Sequence, residues 1–454
     1  MASFIQHGDE TKITVPRVQV SDKCTLYEIQ VEVGHVQWTV LHRYNDFAQL
    51  QEVLVSEHGV AKDLLPPKKA IGNRDPTFIE KRRIGLEHYL STVVRYLQKA
   101  MPKELAAFLE FYDYDIIFLL QSLAVKFFLQ GEAMLLKNRS HTFTPLHLYA
   151  ISERLKQPCP VNEHMDRRQN FSHVLDYCSH LIELIVQGSD KPVKRSNIIP
   201  NKLPYELSAF KSLEKLVMFQ CSFETVYDIS NLRKTLKSLE IHNSGLAHLS
   251  QGLLCDQLHK NCVSEDGANA FRNVVHASFS SNRLTDIDQS VNLIPNVEVL
   301  SFEGNQIEEL NNLTRLAKLK CLNLSNNQFR KLENLELKLG RIVTLDLSQN
   351  YLTSLAGFSK LYSLETLDVR SNKIAEVSEV RHICNLPCLE NLILTGNPVS
   401  VIVDYRVKVL ELFGSRALEL CLDNERSDQK ELDKVAVLQA LRQAKEGRNQ
   451  MNRV

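Results

Sequence analysis

The sequence lacks net charge. Its 54 basic residues balance 54 acidic ones, so bulk electrostatics give no reason to expect a nucleic acid partner. A long apolar run is missing too. The most apolar stretch, "IIFLLQSLAVKFFLQ" from Ile116, is broken by Gln121, Ser122 and Lys126 and reads as too short and too polar to span a bilayer. The opening "MASFIQHGDE" has no basic segment followed by an apolar core, so no signal peptide is expected. Ten cysteines are scattered at irregular spacing, several inside apolar patterns (Cys221, Cys321, Cys384). Reduced core thiols in a cytosolic protein are the expectation. The stretch "CDQLHKNC" offers Cys255, His259 and Cys262 but no clear fourth ligand, so it reads as loop, and no metal or other cofactor is expected. P-loop, H-E-x-x-H, nucleophile elbow and paired zinc ligands are all absent. The expected function is not enzymatic.

What is present first is a repeat. At 454 residues the chain has room for about two to four domains, and its C-terminal half is periodic. "VVHASFSSNRL", "VEVLSFEGNQI", "LKCLNLSNNQF", "IVTLDLSQNYL", "LETLDVRSNKI" and "LENLILTGNPV" each approach L-x-x-L-x-L-x-x-N-x-L. Their asparagines, Asn282, Asn305, Asn327, Asn350, Asn372 and Asn397, are 23, 22, 23, 22 and 25 residues apart. These are leucine-rich repeats. A single coil cannot bury its own apolar face, so stacking supplies the core. The asparagine amide can satisfy backbone groups where the chain bends inward. Weaker repeats at 213–223 and 236–246 carry Cys221 and Ser244 at the asparagine position. The 38-residue step from Ser244 to Asn282 marks an insertion near 250–270. After Asn397-Pro398, the helical periodicity from Tyr405 to Phe413 would cover the open end of the stack. It resembles the C-terminal cap of short leucine-rich repeats, in which the pair Tyr405-Arg406 recurs.

The N-terminal part differs in kind. "VGHVQWTVLHRY" reads as a half-buried strand, and Phe47, Leu50 and Leu54 then share one helical face. Arg43 and Tyr44 sit at that junction. Further on, "LPPKK" puts Lys68 and Lys69 after two prolines that stiffen an extended stretch. "FIEKRRIGLEHYLSTVV" is an amphipathic helix with Lys81, Arg82 and Arg83 on its polar side. Between 62 and 83, seven basic residues face three acidic ones, a local excess of four in a neutral chain. Taken singly, an Arg-Tyr pair or a basic helix face is ordinary surface. Together they leave two readings, packing at a strand-to-helix junction or a phosphorylated ring held between a cation and an aromatic face.

That order, strand, R-Y-x-D-F, helix, L-P-x-K, basic helix, resembles the phox-homology (PX) domain. The resemblance implies an α+β PX domain over 10–118, then a helical connector over 119–165. An α/β leucine-rich-repeat solenoid with its C-terminal cap would follow over 166–424, and a helix or tail over 425–454. It also implies phosphatidylinositol 3-phosphate as ligand. Arg43 would grip the 3-phosphate and Tyr44 would stack under the inositol ring. Lys68 would meet the 1-phosphate, and Arg82 would bond the free 4- and 5-hydroxyls. Lys69, Lys81 and Arg83 would touch anionic lipid, and Ile71 and Phe78 would insert shallowly.

On the repeats, Glu298, Glu303, Asp346, Glu365, Asp368 and Glu390 are read as solvent-facing positions of the concave side, opposed by Lys320 and Arg370. Asp346 and Asp368 would lie one strand apart, about 4.8 Å, which suggests a partner with a basic surface or a simply solvated sheet. A PX domain before such repeats resembles the nischarin family, through "HRYNDF", "LLPPKK", "NLPCLE" and "DYRVKVL". Membership implies an endosomal scaffold on early or recycling endosomes. It would bind an integrin alpha-5 tail and restrain Rac and p21-activated kinase signalling and cell migration. Long members of that family continue past the repeat cap. The competing expectation is a purely protein-binding scaffold whose PX domain lacks useful lipid affinity.

Overall fold

The computed structural model describes residues 1–451 apart from 22–23, 69–74, 98–100, 159–165 and 258–268, with side chains through 441. Two compact units emerge. One is Met1–Leu181 with Gln187–Phe210, the other Ile182–Val186 with Lys211–Val454.

The first unit opens on an antiparallel sheet of β1 (Lys12–Val20), β2 (Thr25–Val33) and β3 (Val36–Arg43). Tyr27, Ile29, Val31 and Val33 of β2 are buried at a period of two, which is what one covered face demands. Trp38 of β3 is also buried; its indole N–H donates to the Leu109 carbonyl at 2.7 Å, and its ring meets Phe111 edge-on. Helix α1 (Tyr44–His58) follows β3 directly. The Asp46 carboxylate turns back to accept the Arg43 N–H at 2.8 Å, and Phe47, Leu50 and Leu54 form its buried face. The helix stops at Gly59, whose φ of +67° suits a residue without Cβ. Helix α2 (Pro76–Tyr96) is started by Asp75, which accepts the Thr77 and Phe78 N–H groups, and by Pro76 in its first turn.

The free edge of β3 is covered by a segment distant in sequence. Thr39 N–H donates to the Arg195 carbonyl and Asn197 N–H to the Gln37 carbonyl, each at 3.0 Å. Lys194 pairs with Asp113 at 2.6 Å. Residues 187–210 therefore belong to the first unit, and the expected boundary at 165/166 cuts through it. An exposed sheet edge invites unwanted pairing, and this return removes it. Helix α3 (Ile116–Lys137) also departs from expectation. At 22 residues it is long and apolar enough, by length and composition, to cross a membrane. Within the first unit it buries Leu119, Leu120, Leu123, Ala124 and Phe127, with Phe127 stacked on Tyr177 at 3.9 Å.

The second unit is a ladder of short parallel strands. Val299–Ser301, Cys321–Asn323, Thr344–Asp346, Thr366–Asp368 and Asn391–Ile393 pair in register, so Leu300, Leu322, Leu345, Leu367 and Leu392 stack inward. The asparagines do what their spacing implies. Asn350 accepts the Phe329 N–H at 3.1 Å through its amide oxygen. Its amide nitrogen donates to the Leu324 carbonyl of the preceding coil and to Leu347 of its own, each at 3.0 Å. Asn282, Asn305, Asn327, Asn372 and Asn397 repeat the arrangement. Ser244 fills the role with fewer bonds, its hydroxyl accepting the Cys221 N–H at 3.1 Å and donating to the His242 carbonyl at 3.0 Å. The C-terminal end is closed by Tyr405–Phe413. Tyr405 there donates to Asp423, and Arg406 bonds Glu431 at 2.7 Å and the Leu422 carbonyl at 2.8 Å.

Candidate functional site

The four residues expected to hold a headgroup are contributed by one strand, two helices and the loop between those helices. Arg43 is the last residue of β3, Tyr44 the first of α1, Lys68 lies on the loop between the helices, and Arg82 lies in the second turn of α2. Arg43 is exposed, with its guanidinium 3.7 Å from Asp46. That loose pair leaves it able to reorient toward an anion. Tyr44 is fixed by donation from its hydroxyl to the Pro66 carbonyl. Lys68 is exposed and follows directly.

Arg82 is the centre of the arrangement. It is only 8% exposed. Its guanidinium carbon lies 4.2 Å from the Tyr44 ring centroid and 4.4 Å from that of Phe78. Among the described residues its Nε and one terminal nitrogen are buried with no partner at hydrogen-bond geometry, and the Tyr27 hydroxyl is the polar group that feels the guanidinium as a hydrogen-bonding neighbour. Burial raises the Tyr44 and Tyr27 phenols above their usual range, and the Arg82 cation opposes both shifts. A desolvated cation with unfilled donors is costly. The structure thus brings Tyr44 and Arg82 together, with Tyr44 stacked on the arginine.

The auxiliary residues divide. Lys81 is exposed beside Arg82. Phe78 is half-buried and its ring is covered by the Arg82 guanidinium, so it is not a free insertion residue. Arg83 departs from expectation as well. It bonds Glu80 at 2.8 Å, the Val15 carbonyl at 2.5 Å and Glu87 at 3.5 Å, which occupies it within the fold. Lys69 and Ile71 lie outside the described residues. Sequence reasoning missed Pro66 as acceptor and Gly85 as its seat, and it gave Phe78 a different role. The four-residue spacing of Phe78 and Arg82 on one helix was the available signal. A cavity of about 870 Å³ elsewhere in this unit is lined by Phe4, His58, Glu104, Tyr112 and Phe118 among others, and includes none of the four headgroup residues.

The acidic residues expected on the concave face fall into two groups. The outward strand positions run Val299, Ser301; Cys321, Asn323; Thr344, Asp346; Thr366, Asp368; Asn391, Ile393. Most are small and uncharged. Glu298, Glu365 and Glu390 precede their strands by one residue, and Glu298 is paired with Lys320 at 2.7 Å, which holds its carboxyl below the usual range. Glu303 is exposed and accepts from Asn323 at 3.4 Å. Asp346 and Asp368 are cross-strand neighbours as expected. The cation between them is internal, for Arg370 bonds Asp368 through Nε at 2.7 Å and is raised by Asp368 first, then by Asp346. The chain therefore answers its own like-charge contact without a basic partner.

For a metal, Cys255 is buried and its thiol pushed up to about 12 by that burial, which disfavours a thiolate ligand. His259 and Cys262 lie outside the described residues. Glu57, His58 and Glu104 bring ligand atoms within 4.8 Å of one another, but His58 and Glu104 already face each other as a partly exposed pair at 3.7 Å.

Comparison with known proteins bears on both units. A PX domain family matches residues 30–112, and a leucine-rich repeat family matches residues 321–445. Leucine-rich repeat-containing protein 23 of Bos taurus is 37% identical over 158 residues, 30% of this chain and 45% of that protein. Serine/threonine-protein kinase Sgk3 of Rattus norvegicus is 34% identical over 87 residues, 19% of this chain and 18% of the kinase. The chain thus spans less than half the length of either relative. A solved designed CISK-PX domain is 31% identical, covering 21% of this chain and 96% of that one, with a TM-score of 0.20. The chain carries a PX domain at its N-terminus and a leucine-rich repeat region after it.

Proposed function

We propose that this chain is a non-enzymatic adaptor. Arg43, Tyr44, Lys68 and Arg82 bind the headgroup of phosphatidylinositol 3-phosphate on early or recycling endosome membranes, and the repeats hold a signalling protein. The observation that carries the lipid half is Arg82, buried with two unfilled donors against Tyr44. Arg43 supplies an exposed guanidinium for the phosphate, where a planar fork makes two charge-assisted bonds. Lys68 supplies a point charge for the linkage phosphate. The protein half rests on the resemblance to the nischarin family, which names Rac, p21-activated kinase and an integrin alpha-5 tail as partners and restraint of cell migration as outcome. Simultaneous weak binding of lipid and protein would lengthen residence on the right membrane.

A second reading, a purely protein-binding scaffold, is favoured by one observation. Arg82 already covers the Tyr44 ring, and Arg83 is engaged by Glu80. Vesicle co-sedimentation of the full chain separates the two. Selective pelleting with phosphatidylinositol 3-phosphate, lost in Arg43→Gln and in Arg82→Gln, supports the lipid reading. No pelleting, or pelleting indifferent to both substitutions, overturns it. Equilibrium binding to purified Rac and p21-activated kinase tests the other half, and no saturable binding to either removes it.

A further inference from the structure

Phe78 and Arg82 are one helical turn apart on α2, so the side chains of the pair share a face. The guanidinium that results is held against two rings, Phe78 from its own helix and Tyr44 from the head of α1. Tyr44 is in turn held by the Pro66 carbonyl. An arginine side chain ordinarily carries large rotamer freedom, and ordering it on binding costs affinity. Here the two ring contacts restrict that freedom before any ligand arrives, with Nε and one terminal nitrogen unpartnered among the described residues.

We infer that Phe78 is a specificity-determining positioning residue of the lipid pocket, holding Arg82 where it fits ring hydroxyls and cannot retreat from a phosphate. This rests on the lipid reading above. A neutral hydroxyl can approach a fixed donor at hydrogen-bond distance. A phosphate on the same ring carbon is far bulkier, and the guanidinium would have to swing away to admit it. Two aromatic contacts oppose that swing, each cation–ring contact gaining strength as water is excluded. With Phe78 removed, Arg82 can move outward and accept the extra phosphate as a counterion. The clamp is therefore a device of selectivity first and of affinity second.

The role is separable from membrane insertion because a soluble headgroup has no bilayer. Calorimetric titration of the full chain would compare inositol 1,3-bisphosphate with inositol 1,3,4- and 1,3,5-trisphosphate for the wild type, Phe78→Leu and Phe78→Tyr. Thermal unfolding confirms that each variant is folded, and Phe78→Met replaces the leucine variant if that one is not. We expect Phe78→Leu to bind the bisphosphate about tenfold more weakly and to bring its preference over the trisphosphates close to unity, while Phe78→Tyr keeps both. Unchanged soluble binding in Phe78→Leu, with weaker vesicle pelleting, overturns the clamp and assigns the ring to insertion. A wild type that binds no headgroup overturns the lipid reading and the clamp together.

Discussion

The Tyr44 hydroxyl donates to the Pro66 carbonyl, which ties the aromatic residue at the head of α1 to the loop that carries Lys68. The proline rests on α2 where Gly85 leaves room: a Cβ there would lie 2.7 Å from Pro66 Cγ. Gly85→Val should therefore lift the loop, separating Lys68 from Arg43 and Arg82 without touching any of them. Vesicle binding is expected to weaken about tenfold, whereas Tyr44→Phe, which loses one hydrogen bond, should cost only about fivefold. Equal losses for the two would show that the glycine does not seat the loop.

On the repeats, Arg370 is the counterion of a cross-strand aspartate pair. Asp368 is 5% exposed, so Arg370→Ala leaves a buried carboxylate beside a second one. A loss of roughly 2 kcal/mol in denaturant unfolding is expected, and Asp368→Asn added to it should recover most of that. Because the pair is partly shielded, high salt should recover less than the second substitution does. Full recovery by salt alone would place the interaction at the surface.

Unit one contains two histidines that stay neutral. His141 and His147 are each pushed down to about 4, by burial first and by the Lys126 charge second. His147 Nδ1 accepts the Thr144 N–H at 3.2 Å, which requires the unprotonated ring. Both folded values lie below the ordinary value of about 6.5, so the unfolded chain takes up protons first as pH falls. Their contribution is full above about 6.5 and is lost toward about 4. Asp115 opposes them. Burial raises it to about 6, so its charged form penalises the fold as pH rises from about 3.8 through 6. Two groups outweigh one, and the melting temperature of this unit should fall between pH 6.5 and 5. His141→Phe with His147→Gln should flatten that slope. A slope unchanged in the double variant would place the acid sensitivity elsewhere.

The repeat architecture was legible because each asparagine must bond the coil before its own, and that demand fixes its spacing in the chain. The same is true of Trp38 and Val40, whose alternation follows from a single covered sheet face. The return of residues 187–210 to β3 was not legible. Its contacts are two backbone bonds at Thr39 and Asn197, the Asn197 amide set between Gln37 and His35, and the Lys194–Asp113 pair, residues more than 80 positions apart with no periodicity to link them. The acidic residues of the repeats were legible as solvent-facing, Glu303, Glu365 and Glu390 being exposed, but the sequence did not show that Glu298, Glu365 and Glu390 precede their strands by one residue. Arg43, Tyr44 and Arg82 were named from pattern, but pattern could not show that Arg82 would lie on Tyr44 rather than beside it. Periodicity reports which face a residue occupies, and stacking depends on the packing between faces.

The insertion between the weaker repeat at 236–246 and the first strong repeat is anchored by a buried ion pair. Arg233 bonds both oxygens of Asp256, at 2.8 and 2.6 Å, and its Nε donates to the Asn269 carbonyl at 3.0 Å. Asp256 and Asn269 flank residues 258–268, so one side chain holds both ends of the excursion to the coil beneath. Asp256 is fully buried, and removal of its partner would leave an uncompensated charge. Arg233→Met is therefore expected to cost about 3–5 kcal/mol, while Arg233→Met with Asp256→Leu should cost far less, since a well-packed apolar pair can replace a buried ionic one. The measurement is a double-mutant cycle by denaturant unfolding, with limited proteolysis of the insertion as a second readout. In the single variant, cleavage within 250–270 should accelerate with the fraction unfolded and also ahead of it, because the Asn269 anchor is lost with the arginine. Additive costs in the cycle would mean that the two residues act separately, and the loop would then be held by the fold around it.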